Sequence, residues 1–305
     1  MNKITETLMR IVADYDGELG GAYSIREDGG CAAVQSTDNI KIEAKDGKPG
    51  IDIRVAPGTK GETVSIPACV TRGGVDDLVY NDFYIGEDAD ITIVAGCGVH
   101  TDDGGDARHN GIHRFFLAKG AKVLYTEKHV GTGDGDGKKS IDPVTEIFME
   151  EDSVLEMDTV QIHGVDSSVR KTSATLGARA KLLVRERLMT DGEEFVQTDF
   201  DVIIEGEDAG CDLVSRSVAR GRSRQVFNSI INGKTRCTGH SECDAILAEE
   251  GTVVACPSLE ASHIDAELIH EAAIGKIAGE QILKLRTLGL TEEEAEEKII
   301  SGFLK

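Results

Sequence analysis

The sequence predicts an all-β solenoid, in which the chain coils into a parallel β-helix between a short N-terminal helix and a C-terminal two-helix segment. The main observation is an internal repeat, in which a small residue followed by an aliphatic strand recurs along the chain. The small residues are Ala89, Ala121, Ser153, Ala180, Cys211 and Cys243, at successive gaps of 32, 32, 27, 31 and 32 residues. A steady period in this range is typical of stacked supersecondary units. No segment of helical period lies between the units, which disfavours helical solenoids and βαβ folds.

The composition supports the same fold. The chain has 35 glycines among 305 residues, no tryptophan, and only 5 tyrosines and 8 phenylalanines. An aliphatic core with many glycine corners suits stacked short strands that pair from coil to coil. Each unit is predicted to hold two or three short strands, with corners such as MTDGEE and ARGRS.

Residues 1–19 are predicted to form an N-terminal helical segment, because KITETLMRIVA places apolar residues on one helical stripe. The stripe consists of Ile4, Leu8, Ile11 and Val12. From about Gly20 the period changes to two, as in IDIRV and VSIPACV. The β-helix core is therefore assigned to residues 20–272.

Residues 273–305 are predicted to form two helices. Their apolar positions are Ile282, Leu285 and Leu288 in the first helix and Ile299, Ile300 and Phe303 in the second. Gly289 suits the position just after the first helix, and Thr291 with Glu294 forms a capping box for the second. The two helices either cap the last coil, which a solenoid requires, or present a surface to a partner.

Charge and cysteine content exclude several classes of protein. The net charge of −22 disfavours nucleic acid, whose affinity comes from Lys and Arg, and also an anionic membrane surface. No apolar run approaches the roughly 18–20 residues that span a bilayer. The N-terminus lacks the apolar run of a signal peptide. Seven irregularly spaced cysteines do not resemble a disulfide framework, so we expect a cytoplasmic protein with free thiols.

Three stretches resemble nucleotide- or metal-binding motifs, but none of them has the complete pattern. GKT at 233–235 lacks the first glycine of a P-loop, since position 228 is Asn. GTGDGDGKK has Lys138 and Thr145 where a calcium loop needs oxygen ligands, which favours a surface turn. CGVHTDDGGDARHNGIH offers three histidines and three aspartates with no compact motif. It is either a divalent-metal site or a polar loop whose histidines have protein partners.

The window from Gly239 to Ala272 concentrates thiol and imidazole groups. Cys243 is expected on a strand, on the same face as Ala245 and Leu247. One interpretation is a buried core thiol, because free Cys packs as a small hydrophobe. The other is a ligand, because residues one coil apart stack in a solenoid. On this second interpretation Cys211 and Cys243, which are 32 residues apart, are neighbours.

Two stretches resemble a known family. LIHEAAIGKIAGEQILKLRTLGLTEEEAEEKIISGF, with GHSECDAIL upstream, resembles the C-terminal half of the SufB/SufD family of the SUF iron–sulfur cluster assembly machinery. NDFYIGEDADITIVAGCGVH resembles its archaeal and minimal-system branch. The resemblance runs from roughly Ile51 to Phe303. It implies a right-handed parallel β-helix followed by helices that dock on a SufC-type ABC ATPase, in agreement with the missing P-loop.

Within that family the sequence is closer to SufB than to SufD. SufB-type chains carry a cysteine matched by Cys243 and a His-Glu pair matched by His270 and Glu271, and SufD-type chains typically lack that acidic residue. These three residues are the implied ligands of the cluster. His270 and Glu271 are adjacent, so in a regular strand they point to opposite faces. Cys237 and Cys256 lie outside the family motif and are open candidates for additional ligands.

The resemblance implies a scaffold, and not an enzyme, that holds an iron–sulfur cluster transiently. The implied partners are the ATPase, a second copy of the chain paired through the last coils, a sulfur donor and apo iron–sulfur proteins. Two alternatives are a SufD-like structural subunit without a cluster and a β-helix carbohydrate-active enzyme. An aromatic content of 4%, with no Trp and no secretion signal, argues against the enzyme.

Overall fold

The computed structural model describes residues 1–305 and confirms the predicted class, a parallel β-solenoid of about 8 turns with one N-terminal and two C-terminal helices. The helices are α1 (Lys3–Val12), α2 (Gly279–Arg286) and α3 (Glu292–Phe303). The strands are β1 (Ala22–Glu27), β2 (Gly30–Gln35), β3 (Ile40–Ala44), β4 (Gly50–Val55), β5 (Lys60–Val70), β6 (Val75–Ile85), β7 (Asp90–His100), β8 (Ala107–Leu117), β9 (Lys122–Thr132), β10 (Lys139–Ile141), β11 (Val144–Met149), β12 (Val154–Gln161), β13 (Ser167–Leu176), β14 (Lys181–Thr190), β15 (Phe195–Ile204), β16 (Gly210–Ala219), β17 (Arg224–Gly233), β18 (Cys237–Leu247), β19 (Thr252–Ala261) and β20 (Ala266–Gly275). No helix has the length and apolar character needed to cross a membrane.

The strands form two ten-stranded sheets that face each other across the core. Sheet A has the order β2-β1-β5-β7-β9-β12-β14-β16-β18-β20. Sheet B has the order β19-β17-β15-β13-β10-β8-β6-β4-β3, with β11 beside β8 and β13. Nearly all pairings are parallel, and only the β1–β2 and β3–β4 hairpins at the N-terminal end are antiparallel. A typical coil contributes one strand of 8 to 11 residues to each sheet, longer strands than the predicted two or three short ones.

The coil length is not constant, and this corrects part of the predicted repeat. Asp90, Lys122 and Val154 pair in register at intervals of 32 residues. Later coils are shorter, since Lys181 pairs with Gly210, and Gly210 pairs with Thr238. The buried small residue at the start of the sheet-A strands from β7 to β18 is thus Ala89, Ala121, Ser153, Ala180, Ala209 and Cys237. The assignment of Cys211 and Cys243 to this position was wrong, and Cys211 pairs with Gly239, not with Cys243.

Side chains that alternate inward from both sheets build the core. A cluster of 36 buried residues runs along the solenoid axis, and it is aliphatic apart from a few aromatic side chains and cysteines. Phe83 and Phe115 stack with ring centroids 4.5 Å apart, and Tyr125 meets Phe115 edge to face at 5.2 Å. Burying each large side chain contributes about 1.5–3 kcal/mol, so the coils hold together without disulfides.

Helix α1 packs on the outer face of sheet A. Asn2 caps it, and Leu8, Met9 and Val12 are buried, whereas Ile11, which was predicted on the buried stripe, is 41% exposed. Gly96 of β7 makes the close approach possible, because a Cβ atom there would lie 2.5 Å from the Val12 Cβ atom. The side chain of Val12 therefore packs directly against the backbone of β7 at Gly96.

Helices α2 and α3 do not cover the last coil. The predicted capping box of α3 is confirmed. The Thr291 side chain accepts from the Glu294 backbone N–H, and the Glu294 side chain accepts from the Thr291 backbone N–H. Helix α3 buries Ala295 and Ile300, whereas α2 buries no residue. Residues of β19, β20 and the turn between them remain exposed, including Ile264 at 95%. The two predicted roles were a cap over the last coil and a surface for a partner. The helices do not form the cap, and their own surface is accessible.

Candidate functional site

The side chain of Cys243 points into the solenoid from the next-to-last strand of sheet A. Alternate residues of β18 are buried, and Cys243 shares the inner face with Ser241 and Ala245, as its predicted alternation requires. Its exposure is 1%. Burial, followed by the negative charges of Glu186 and Asp244, raises the pKa of the Cys243 thiol to about 12. In the isolated chain this group is therefore a protonated thiol at neutral pH.

His270 lies on the same inner face, one strand further along. It pairs with Ser241, and Ala272 pairs with Cys243, so His270 is offset by two residues from the strand position opposite the thiol. The His270 Nδ1 atom is 3.0 Å from the Ser241 carbonyl oxygen. A carbonyl can only accept, so Nδ1 carries a proton, and in the neutral ring Nε2 is the nitrogen with the lone pair. Metal-binding histidines usually have this arrangement, with the second ring nitrogen donating to a backbone carbonyl or carboxylate.

The interior around Cys243 is polar. One inward-facing row of sheet A runs through Glu186, Ser215 and Cys243, which pair in register on three successive coils. Ser215 donates to Glu186 at 2.9 Å. The Ser229 and Ser241 hydroxyls hydrogen bond at 2.7 Å across the two sheets. These hydroxyl and carboxylate groups set the Cys243 neighbourhood apart from a purely aliphatic core.

The structure does not bring all predicted ligands to one point. Glu271 faces outward from the sheet, opposite to His270, as the strand alternation predicted. Cys237 shares the inner face with Cys243 but is six residues away, or about 20 Å along the strand. Cys256 is exposed on β19 of the other sheet, beside Asn228. Within one chain, therefore, only Cys243 and His270 of the predicted ligands lie on one inner face of neighbouring strands, at diagonal positions.

The outer face of the same strands carries a second cluster, consisting of His240, Glu242 and Glu271. One side-chain nitrogen or oxygen of each lies within 4.8 Å of the others. The His240 Nδ1 atom is 2.8 Å from Asp212, and its Nε2 atom is 3.7 Å from Glu271. The hydrogen bond to Asp212 raises the pKa of His240. His240 and Glu242 were not predicted as ligands, although H-x-E on a strand places both side chains on one face.

A third group, Cys97, Glu127 and His129, is fully buried near the middle of the solenoid. Arg170 lies 3.0 Å from Glu127 and 3.2 Å from the His129 Nδ1 atom. Arginine only donates, so Nδ1 accepts, and the neutral ring carries its proton on Nε2, which faces Glu127 at 3.3 Å. Neither ring nitrogen has a free lone pair, and the group is a buried ion-pair network.

The histidine- and aspartate-rich stretch between β7 and β8 does not converge on a metal site. His100 bonds to Thr132 at 2.9 Å, His109 to Asp77 at 3.0 Å, and His113 to Tyr125 at 3.1 Å. Burial lowers the pKa of His113 to about 4, so that ring is neutral. Each histidine has a separate protein partner, in agreement with the polar interpretation of this stretch.

The fold and these clusters define a class: a parallel β-solenoid whose thiol, imidazole and carboxylate groups gather at its open C-terminal end. A family model described as the SufBD core domain of SUF-system FeS cluster assembly matches residues 81–303. The chain belongs to the SufBD family, the family indicated by the sequence resemblance.

Relatives from several archaea carry the same family name, iron–sulfur cluster assembly SufBD family protein. A protein of Methanothermobacter thermautotrophicus strain Winter is 30% identical over 267 residues, covering 86% of this chain and 64% of its own length. One from Archaeoglobus fulgidus is 30% identical over 258 residues, covering 84% and 68%. One from Methanocaldococcus jannaschii is 26% identical over 277 residues, covering 89% and 86%. The chain thus spans about two thirds of the length of the first two and most of the third.

The burial of Cys243 leads to a testable difference in thiol reactivity. At pH 8 we expect iodoacetamide to modify the exposed Cys31 and Cys256 at least about 100-fold faster than Cys243, because only a thiolate attacks. Mass spectrometry of peptides sampled over time measures the two rates, and the same reaction in denaturant should remove the difference. Equal rates in the folded chain would show that Cys243 is not buried in solution.

Proposed function

We propose that this chain is a SufB-like scaffold on which an iron–sulfur cluster is assembled and transferred. The observation that carries the proposal is the placement of Cys243 and His270 on one inner face of two neighbouring strands, two residues apart in register, where the Nε2 atom of a neutral His270 ring is a free ligand atom. Thiolate is the preferred ligand of iron–sulfur clusters, and imidazole replaces it in some. Glu271 belongs to the family motif, although its side chain leaves the strand on the other face.

The acid–base state of Cys243 suits transient binding. Iron must displace the proton of a thiol whose pKa is about 12, and this proton release reduces the net affinity. A site with one thiolate and one imidazole per chain also holds a cluster less firmly than four thiolates. A scaffold has to release its product, so a weak set of ligands fits this role.

The C-terminal helices are the proposed docking site for a SufC-type ABC ATPase. Leu283 and Leu288 expose 62% and 76% of their surface, and α2 buries no residue against the solenoid. A groove of about 630 Å³ separates α3 from β18, with Asp244 and Ile246 on one wall and Ile299 and Phe303 on the other. Movement of α3 by the ATPase would uncover the strand directly after Cys243.

Two copies of the chain are proposed to pair through their last coils. The strands β19 and β20 end their sheets, so the backbone groups along their outer edges have no strand partner. Ile264, Ile269 and Leu259 are exposed by 95%, 56% and 37% around this edge. Unpaired edges with apolar side chains favour association with another chain. The pairing would bring two Cys243–His270 pairs toward one interface and shield them from water.

Anaerobic reconstitution with iron and sulfide tests the proposed scaffold. We expect the wild-type chain to develop the visible absorption and Mössbauer spectrum of a cluster, and Cys243→Ser to lose most of it. His270→Ala should release its cluster roughly 10–100-fold faster to a chelator. Cys31→Ser, an exposed cysteine at the other end of the solenoid, is the matched control and should behave as wild type.

Two results would contradict the scaffold. Equal cluster content in wild type and Cys243→Ser would remove this thiol from the site. A wild-type chain without a cluster that still binds the ATPase would identify a SufD-like structural subunit. The same experiment with Cys256→Ser decides whether that exposed thiol, on the other sheet, contributes a ligand.

A further inference from the structure

The outer face of the last coils carries four carboxylates close to one imidazole. Glu242 of β18 and Glu271 of β20 pair in register on neighbouring parallel strands, so their carboxylates leave the sheet side by side. Like charges placed directly opposite each other destabilise a sheet. Asp212 and Asp244 add further negative charge, while Arg216 is the nearby cation and pairs in register with Asp244. The four carboxylates outnumber the one arginine beside them, and a divalent cation would neutralise this excess.

His240 makes this cluster different from a patch of acidic surface. Its Nδ1–H donates to the Asp212 carboxylate at 2.8 Å, which fixes the ring and leaves Nε2 as the free ligand atom in the neutral ring. That Nε2 atom is 3.7 Å from the Glu271 Oε2 atom. Two atoms bound to one ion at about 2.1 Å are separated by at most about 4.2 Å, so this spacing already fits a shared ion.

We propose that His240, Glu242 and Glu271 bind one divalent transition-metal ion, with Asp212 as the residue that positions His240. One imidazole and two carboxylates suit Fe²⁺, Mn²⁺, Co²⁺ or Zn²⁺ better than Mg²⁺ or Ca²⁺, which prefer all-oxygen ligand sets. The His240 side chain is 30% exposed and that of Glu271 is 67% exposed, so the ion exchanges with solvent.

The site lies one peptide bond from the proposed cluster site. Glu271 and His270 are neighbours in β20 with side chains on opposite faces, and Glu242 and Cys243 have the same relation in β18. If the proposed scaffold function holds, the ion is Fe²⁺ held outside the sheet before it joins the thiol on the inside. This role rests on the proposed function, whereas the metal site itself does not.

Anaerobic titration of the full-length metal-free chain with Co²⁺, followed by visible absorption and calorimetry, tests the site. We expect one Co²⁺ per chain with nitrogen and oxygen ligands and no sulfur-to-metal charge-transfer band. His240→Gln and Glu242→Gln should each weaken binding at least about tenfold, and Asp212→Ala about tenfold through the lost orientation of the ring. Glu267→Gln, an exposed carboxylate on the same face of β20, is the matched control and should bind as wild type.

Cys243→Ser separates this site from the cluster site. It should leave Co²⁺ affinity unchanged, and a loss of binding in this variant would overturn the proposal, as would unchanged binding in both His240→Gln and Glu242→Gln. Thermal melts of the metal-free variants exclude unfolding as the cause of lost binding. Co²⁺ binding at His240 in a chain that never assembles a cluster would support the metal site and overturn only the scaffold function.

Discussion

Replacing Arg170 by methionine should destabilise the folded chain by about 3–5 kcal/mol, because the change leaves buried carboxylates without their partner. Arg170 lies between two coils, 3.0 Å from Glu127 and 3.5 Å from Glu186. The three side chains are 6%, 4% and 1% exposed. Thr198 and Ser215 stabilise Glu186 further, but neither carries a charge. Chemical denaturation of wild type and variant measures the difference.

The destabilisation caused by Arg170→Met should depend on pH in a defined direction. Burial by itself raises the pKa of Glu127, but His129 and Arg170 outweigh it, and the pKa in the folded chain lies below the usual 4.5. A lowered carboxylate pKa contributes stability above the unfolded-state pKa and loses it as the pH falls toward the folded-state pKa. The difference in the free energy of unfolding between wild type and Arg170→Met should therefore be largest at neutral pH and should shrink below about pH 4.5.

Arg185→Met is the matched control, because this arginine is 56% exposed and pairs with an exposed glutamate. It should change stability by less than about 0.5 kcal/mol. The combined variant Arg170→Met, Glu127→Gln and Glu186→Gln should recover a large part of the loss, since it no longer buries unpaired charge. A cost below about 1 kcal/mol for Arg170→Met alone would show that water or another cation reaches the carboxylates.

The second large effect is expected at the open end of the solenoid. Changing Ile264 and Leu259 together to glutamate should raise the dissociation constant of the proposed dimer at least about 100-fold, because charge replaces the apolar residues beside the edge strands. Analytical ultracentrifugation should then detect the single chain of 32.6 kDa where wild type sediments at twice that mass.

Leu124→Glu provides the comparison for this surface. Leu124 is 40% exposed on β9, in the middle of the solenoid, and its substitution should leave the dimer intact. A wild-type chain that remains a single copy at every concentration would contradict pairing through the last coils. Dissociation by Leu124→Glu would place the interface elsewhere on sheet A.

The sequence predicted the solenoid because its repeat is a property of spacing, which needs no knowledge of contacts. It failed at the register of the later coils, where the interval falls from 32 to between 27 and 29 residues. Cys211 and Cys237 both follow strand-like alternation, and only the backbone pairing shows that Cys237 occupies the small buried position. A change of three to five residues per coil is invisible to pattern matching but decides which side chains stack.

At the candidate site, too, the sequence predicted features within one strand but not the contacts between strands. Alternation along one strand was enough to place Cys243 inside and to separate His270 from Glu271. The cluster of His240, Glu242 and Glu271 depends on the 29-residue offset between β18 and β20, which only the backbone pairing shows. Similarly, the exposed position of α2 depends on how the chain leaves β20, and two amphipathic helices were equally compatible with a cap over the last coil.

The reversed hairpins at the first coil have a consequence for how far this molecule can polymerise. The β1–β2 and β3–β4 hairpins end the sheets there with short antiparallel strands of 5 to 6 residues, whereas the far end offers two parallel strands of 10 residues. The two ends of the solenoid differ in strand length and direction, so head-to-tail addition would not continue the parallel ladder. In the proposed dimer the contact between like ends would be isologous and would be complete once two molecules have met.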